Sequence, residues 1–305
     1  MKSGITQISI ALGLLVFACA ARGDWQDAQL AYQQRDFVTA LQAWRSLAAA
    51  GDSAAQYNAA IMLLDGLGQS RDPDTAVDLL QLAASQGYVD ALFCLGYLHA
   101  QGRDVPRDDT RAAEWYRWAA AEDHAGAQFN LAMLYRYRRV PGWDNTEIIR
   151  LLRAAAEQGL AAAQFQLAEH YEQGRGVGRD INTANNWYRK AADQHYAPAQ
   201  RKLGLMFMNG TGAPKDARMA VSWLTRAAQL NDVEAQYYLG MLYRLDKDVE
   251  RDDELAVRWL SEAAWQGHPR AQYNLGLMYK EGLGVAQDDR ESARWYRAAA
   301  ERGEP

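Results

Sequence analysis

The chain has almost no covalent stitching available to it, with two cysteines, Cys19 and Cys94, among 305 residues. If Cys19 leaves with an N-terminal leader, no internal disulfide can form and stability must come from packing. Prolines are scarce as well, seven in all, while hydrophobic residues make up 49%. That composition excludes disorder and supplies an extensive core. No basic block exists either. The 33 basic residues are interspersed with 38 acidic ones, for a formal charge of −5, so nothing is set up to neutralise phosphates and nucleic acid is excluded as a partner class. Ser-x-x-Lys and His-Glu-x-x-His are both missing, which leaves serine acylation and zinc-assisted hydrolysis without their usual parts.

One uncharged apolar stretch stands out, residues 8–18, preceded by Lys2 and followed by small residues and Arg22-Gly23-Asp24. It is about half the ~20 residues a spanning helix needs, so residues 1–20 read as a secretory signal. Two outcomes stay open. Ala18-Cys19-Ala20 resembles a cleavage site that yields a soluble chain from near Ala21, whereas Val16-Phe17-Ala18-Cys19 resembles a degenerate lipobox that would leave Cys19 lipidated and membrane-bound.

What the chain has in abundance is self-similarity. An Ala-Gln pair or a near relative recurs at Ala55, Ala91, Ala127, Ala163, Ala199, Ala235 and Ala271, always 36 residues apart. A period of a few tens of residues marks a solenoid, in which each repeat buries its apolar face only against its neighbours. With each alanine as position zero, small or apolar residues at 0, +4, +5 and +8 form the stripe of an amphipathic helix, A. Gly-x-Gly loops such as Gly66/Gly68 and Gly282/Gly284 are expected to stop that helix. An aspartate stands at +17 in every repeat, from Asp72 to Asp288. These seven should be N-caps of a second helix, B, with capping-box spacing at Asp144/Glu147 and Asp288/Glu291. Helix B carries Trp or Leu at +24, expected in the core, and an Ala-Ala pair at +28 and +29 in all seven repeats. Residues 25–51 hold a shorter copy in which Asp36, Ala40 and Gly51 keep the register and Trp44 is one place off it. The expected organisation is a signal (1–20), a capping helix pair (21–51) and seven repeats (52–303).

The pattern Ala-x-x-x-Leu-Gly-x-x-Tyr, Gly-x-Gly, Asp, Ala-x-x-Trp-Tyr, Ala-Ala-x-x-Gly resembles the Sel-1-like repeat, a relative of the tetratricopeptide repeat, and residues 271–303 state it almost completely. The resemblance implies an all-α, right-handed α/α superhelical solenoid of helix-turn-helix repeats that acts as an adaptor or scaffold without catalysis or cofactor. It also implies association of exported members with envelope assembly, exopolysaccharide systems, signalling regulation or host interaction. Some cysteine-rich secreted members are associated with penicillin binding and β-lactam hydrolysis. Those carry a cysteine pair in each repeat, whereas here only Cys94 occupies a repeat position.

If the helices pair as in tetratricopeptide arrays, the A helices line a concave groove and +2, +6, +9 and +10 point into it. Position +2 is aromatic in six repeats (Tyr57, Phe93, Phe129, Phe165, Tyr237, Tyr273), joined by Tyr97 and by Arg244 at +9. Such a row serves packing or binding, since aromatic and Arg-rich surfaces concentrate binding energy. The repeat from Ala127 replaces its glycine loop with Tyr135-Arg136-Tyr137-Arg138-Arg139-Val140-Pro141-Gly142-Trp143, suited to a carboxylate-bearing peptide or a sugar. The candidate partner-binding residues are therefore Tyr97, Arg136, Tyr137, Arg138, Trp143, Tyr237, Arg244 and Tyr273. The expected partner is an envelope protein or peptide; a polysaccharide or a secretion apparatus is the alternative. His124, His195 and His268 fall at similar turns of alternate repeats, too far apart to share a metal.

Overall fold

The computed structural model describes residues 24–141 and 144–303; the expected signal, Cys19 and Trp143 lie outside them. Among the described residues every regular element is an α-helix, and the chain is an all-α helical repeat solenoid. One compact unit ends at Asp144 and a second begins at Asn145. No helix of the described residues is long and apolar enough to cross a membrane.

The first unit opens with helix α1 (24–33) and α2 (Phe37–Ala49), then runs through α3 (Ser53–Asp65), α4 (Pro73–Ser85), α5 (Val89–Gln101), α6 (Asp109–Ala121) and α7 (Ala125–Arg136). The second holds α8 (Asn145–Glu157), α9 (Ala161–Gln173), α10 (Ile181–Asp193), α11 (Ala197–Asn209), α12 (Ala217–Gln229), α13 (Val233–Leu245), α14 (Asp253–Trp265), α15 (Pro269–Glu281) and α16 (Asp289–Ala300). From α3 on, odd numbers are A helices and even numbers B helices.

The punctuation follows the sequence. Gly66, Gly174, Gly210 and Gly282 end their A helices in the left-handed conformation, and Gly102 does the same for α5. The side chains of Asp72, Asp108, Asp180, Asp216, Asp252 and Asp288 accept backbone N–H bonds at the start of their B helices. At Asp288 only half of the expected capping box forms. Its own N–H donates to the Tyr279 carbonyl at 3.0 Å, so Glu291 has no cap donor to reach and pairs with Arg294 at 3.2 Å. Glu147 likewise pairs with Arg150, at 2.7 Å.

The core differs from expectation by one position. Trp or Leu at +24 was expected in the core, and Leu151 and Trp295 are buried there, but Trp115, Trp187, Trp223 and Trp259 are only half-buried. In six of the seven repeats the residue at +25 goes fully inside: Leu80, Tyr116, Leu152, Tyr188, Leu224 and Leu260 are at most 1% exposed, whereas Tyr296 is only half-buried. They meet the small residue at +5. A Cβ on Gly204 would stand 2.6 Å from Leu224 Cγ, and one on Gly240 would stand 2.7 Å from Leu260 Cγ, so glycine sets how closely the helices approach. Trp44 of the cap occupies this inner position and is buried, edge-on to Trp25 at 4.8 Å.

Repeats are joined by the glutamine at +1. Gln56, Gln128, Gln164, Gln200, Gln236 and Gln272 are buried, and each donates its side-chain amide to a carbonyl in the last turn of the preceding B helix, at 3.0–3.4 Å. A buried amide must find such a partner, because leaving it unpaired costs about 1–3 kcal/mol. Leu92 is the one departure.

Candidate partner-binding face

Within each unit the A helices of successive repeats lie side by side and touch through two recurrent joints. The first runs from +2 to the residue that caps the next A helix. It takes different chemistry at each step: Tyr57 on Tyr88 at 5.3 Å, Phe93 stacked on His124 at 4.4 Å, Phe165 on Tyr196 at 5.6 Å, and Tyr237 stacked on His268 at 4.5 Å. Where +2 is Arg201, it pairs with Asp232 at 3.1 Å. The aromatic row therefore packs repeat on repeat. His124 and His268 also accept the N–H of Ala127 and Ala271 at Nδ1, each at 3.1 Å, while Nε2 faces Asp90 at 3.5 Å and Glu234 at 3.2 Å. Among the described residues no group of three or more His, Cys, Asp or Glu is placed to hold a metal.

The second joint runs from +9 to +3 of the next repeat. In the second unit Glu172 binds Lys202 at 2.8 Å, and Arg244 donates to Asn274 at 2.7 Å. Glu172 also accepts from Tyr188 at 2.8 Å; burial first, then this bond, pushes the Tyr188 hydroxyl pKa up. Between those two steps, Met208 and Tyr238 leave a small cavity of about 250 Å³ that Tyr237, Met241 and Leu245 also line.

In the first unit the same positions hold Leu64 and Cys94, which cannot cross-link. A cavity of about 500 Å³ opens between α3 and α5, lined by Ile61, Leu64, Cys94, Tyr97 and Gln101, with Arg71, Arg103 and Asp104 toward the loop. Its rim is held by an ion pair between Arg71 and the nearly buried Asp104 at 2.6 Å. Arg103 is exposed. Burial, with a smaller contribution from Asp65, pushes the Cys94 thiol up to about 11, so it stays protonated at neutral pH and lines the cavity as a small apolar group. Burial also raises Tyr57 to about 12.

The candidate residues do not converge on one site. Tyr97 is 48% exposed on the cavity wall. Tyr137 is 65% exposed but terminates α7 rather than extending it, with the Arg136 guanidinium 6.0 Å from its ring centre and Arg138 in the left-handed region at φ 55°. Half of that loop is structural. Tyr135 is buried and accepts from Arg117 at 3.2 Å, Val140 is buried, and Arg139 forks onto Asp109 at the start of α6. Burial works to raise the Asp109 carboxyl pKa, but hydrogen bonds from Arg139 and Arg107 outweigh it and hold the pKa below the usual range. Tyr237 and Arg244 belong to joints. Tyr273 is 40% exposed and leans on Tyr296 at 5.3 Å. Sequence reasoning missed Ile61, Leu64 and the +9/+3 pairing; the signal was the change from charged to apolar pairs 30 residues apart.

The Sel1 repeat matches seven consecutive blocks, residues 53–88, 89–124, 125–160, 161–196, 197–232, 233–268 and 269–304. Among solved structures, the chain is similar to c5321, a protective antigen of uropathogenic Escherichia coli strains displaying an SLR fold, with 32% identity and a TM-score of 0.82 over 86% of this chain and 56% of that one. It therefore spans little more than half of that protein's length. A Sel1 repeat protein from Oxalobacter formigenes is 31% identical with a TM-score of 0.73, over 94% of this chain and 87% of that one. No curated protein matches the chain.

Proposed function

Because the chain belongs to the Sel1-repeat family, whose members are generally protein-interaction scaffolds, we propose that it is an exported, non-catalytic adaptor. It holds a segment of a protein partner on the A-helix face of its first unit. The observation that carries this reading is the open joint between α3 and α5. A cavity of about 500 Å³ falls within the roughly 300–1,000 Å³ of ordinary ligand pockets. It offers apolar walls for a side chain, the exposed Tyr97 as an amphipathic contact and Arg103 for a flanking carboxylate. Export rests on Lys2, the apolar residues 8–18 and the small residues before Arg22, which favour a periplasmic or secreted protein, or a lipoprotein through Cys19.

A photocrosslinking amino acid placed at position 97 tests the site in living cells, with position 202 as the control. One protein adduct formed from 97, absent from 202 and competed by the untagged wild type but not by Tyr97→Ala, is expected. Equal adducts from both positions, or none, would overturn the site. The mass of the mature N-terminal peptide separates cleavage near Ala21 from lipidation at Cys19, and an intact Met1 would overturn export.

A further inference from the structure

On the B helices, the +24 tryptophans of the second unit, three half-buried and Trp295 buried, all carry a cation supplied by the chain itself. Lys190 lies 4.0 Å from the ring centre of Trp187, Arg226 lies 4.6 Å from Trp223, and Arg258 and Arg294 lie 5.3 Å from Trp259 and Trp295. The cation comes from +27 in the first two cases and from +23 in the last two. The +27 residue lies one turn on, on the same helix face as +24, and the +23 residue immediately precedes the ring.

Trp115 in the first unit breaks that rule at both positions. Its +23 neighbour is Glu114 and its +27 neighbour is Trp118, an acid and a second ring where the other repeats use lysine or arginine. Trp118 stands edge-on to Trp115 at 4.9 Å and is 55% exposed. The cations of α6 itself are engaged elsewhere, Arg111 with Asp108 at 3.6 Å and Arg117 with Tyr135 at 3.2 Å. Beside the two rings lies a cavity of about 560 Å³ walled by Leu92, Ala84 and Ala121, with Glu122 on its rim. It opens at the one repeat joint where leucine replaces the buried glutamine.

We infer that the Trp115/Trp118 cleft is a second binding site, which receives an arginine or lysine side chain from a protein partner. Two ring faces attract a cation through their quadrupoles, Leu92 receives the aliphatic stem, and Glu114 and Glu122, both exposed, supply complementary charge. The site is separate from the α3/α5 cavity and stands whether or not that cavity binds.

The test uses the full chain labelled with 15N at the indoles, with Trp115→Phe, Trp118→Phe, Trp187→Phe and Trp223→Phe assigning four of its ten tryptophan resonances. The probe is the peptide acetyl-Gly-Arg-Gly-Arg-Gly-amide, compared with its neutral citrulline counterpart. The arginine peptide is expected to shift the Trp115 and Trp118 indole signals, to leave Trp187 and Trp223 unmoved, and to bind at least about threefold more tightly than the citrulline peptide. The double variant Glu114→Gln/Glu122→Gln, whose exposed positions leave the fold intact, should abolish that ratio. No shift, an equal response to both peptides, or equal shifts at Trp187 would overturn the proposal. So would shifts that appear when protein concentration alone is raised, because a second copy would then be the occupant.

Discussion

The two units build their cores on the same repeat pattern and differ in what they leave unsatisfied at the surface. In the second, Glu172–Lys202 and Arg244–Asn274 close two A-helix joints, and a lysine or arginine lies over each +24 tryptophan. In the first, the equivalent joint is Leu64 and Cys94 around a cavity, and the equivalent tryptophan meets a second ring and follows an acid in sequence. The second unit also has one apolar joint, Met208 and Tyr238, but its cavity is about half the size, so the larger departures of the first unit single out the surfaces that meet something else.

The largest effect should show that the cores are equivalent. Tyr116→Ala and Tyr188→Ala remove fully buried rings from the same +25 position in different units, and each should cost about 3–5 kcal/mol. Denaturant unfolding checks the magnitude, and hydrogen exchange should show lost protection in the mutated unit first. Unequal losses would mean that the units differ inside as well as outside.

A transplant of the second unit's joint into the first sharpens the contrast. Leu64→Glu with Cys94→Lys copies the Glu172–Lys202 arrangement and should change stability by no more than about 1 kcal/mol, as expected of a partly exposed ion pair. Capture of the partner through position 97 should fall at least about tenfold, which corresponds to about 1.4 kcal/mol. Undiminished capture in the refolded double variant would remove the cavity from the interface.

The smallest effect concerns a cap. The hydroxyl of Thr183 at 2.6 Å, followed by backbone N–H bonds, holds the Asp180 carboxyl pKa below its ordinary value. A group lowered in this way contributes stability above its unfolded pKa of about 3.9 and loses it as pH falls through the folded value. Asp180→Ala should therefore lower the melting temperature at pH 7, and the difference from wild type should shrink in acid. A difference that persists in acid would assign the loss to something other than the ionised cap.

Helix limits and caps were legible in the sequence because glycine and aspartate mark them at fixed offsets, and their chemistry is local. The inner register was not. Positions +24 and +25 are adjacent, both are apolar in most repeats, and a tryptophan half-covered by a cation looks in sequence like one in the core. Trp44, one place off the repeat yet fully inside, carried the clue. The glutamine at +1 was visible as a repeated residue, but its role depends on a carbonyl eight residues earlier in the neighbouring repeat. Tyr97 was legible as a groove-facing aromatic, whereas its cavity depends on Leu64 and Cys94, from different repeats, which no single motif contains.

That glutamine has a consequence for how such chains change length. Except at Leu92, each joint is written by a side chain at the start of one block and a main-chain carbonyl at the end of the block before it, and every block offers an equivalent carbonyl. Cutting the chain at equivalent points and rejoining it one block shorter or longer would put the same two groups face to face. A block can thus be lost or gained without the glutamine contact having to be redesigned.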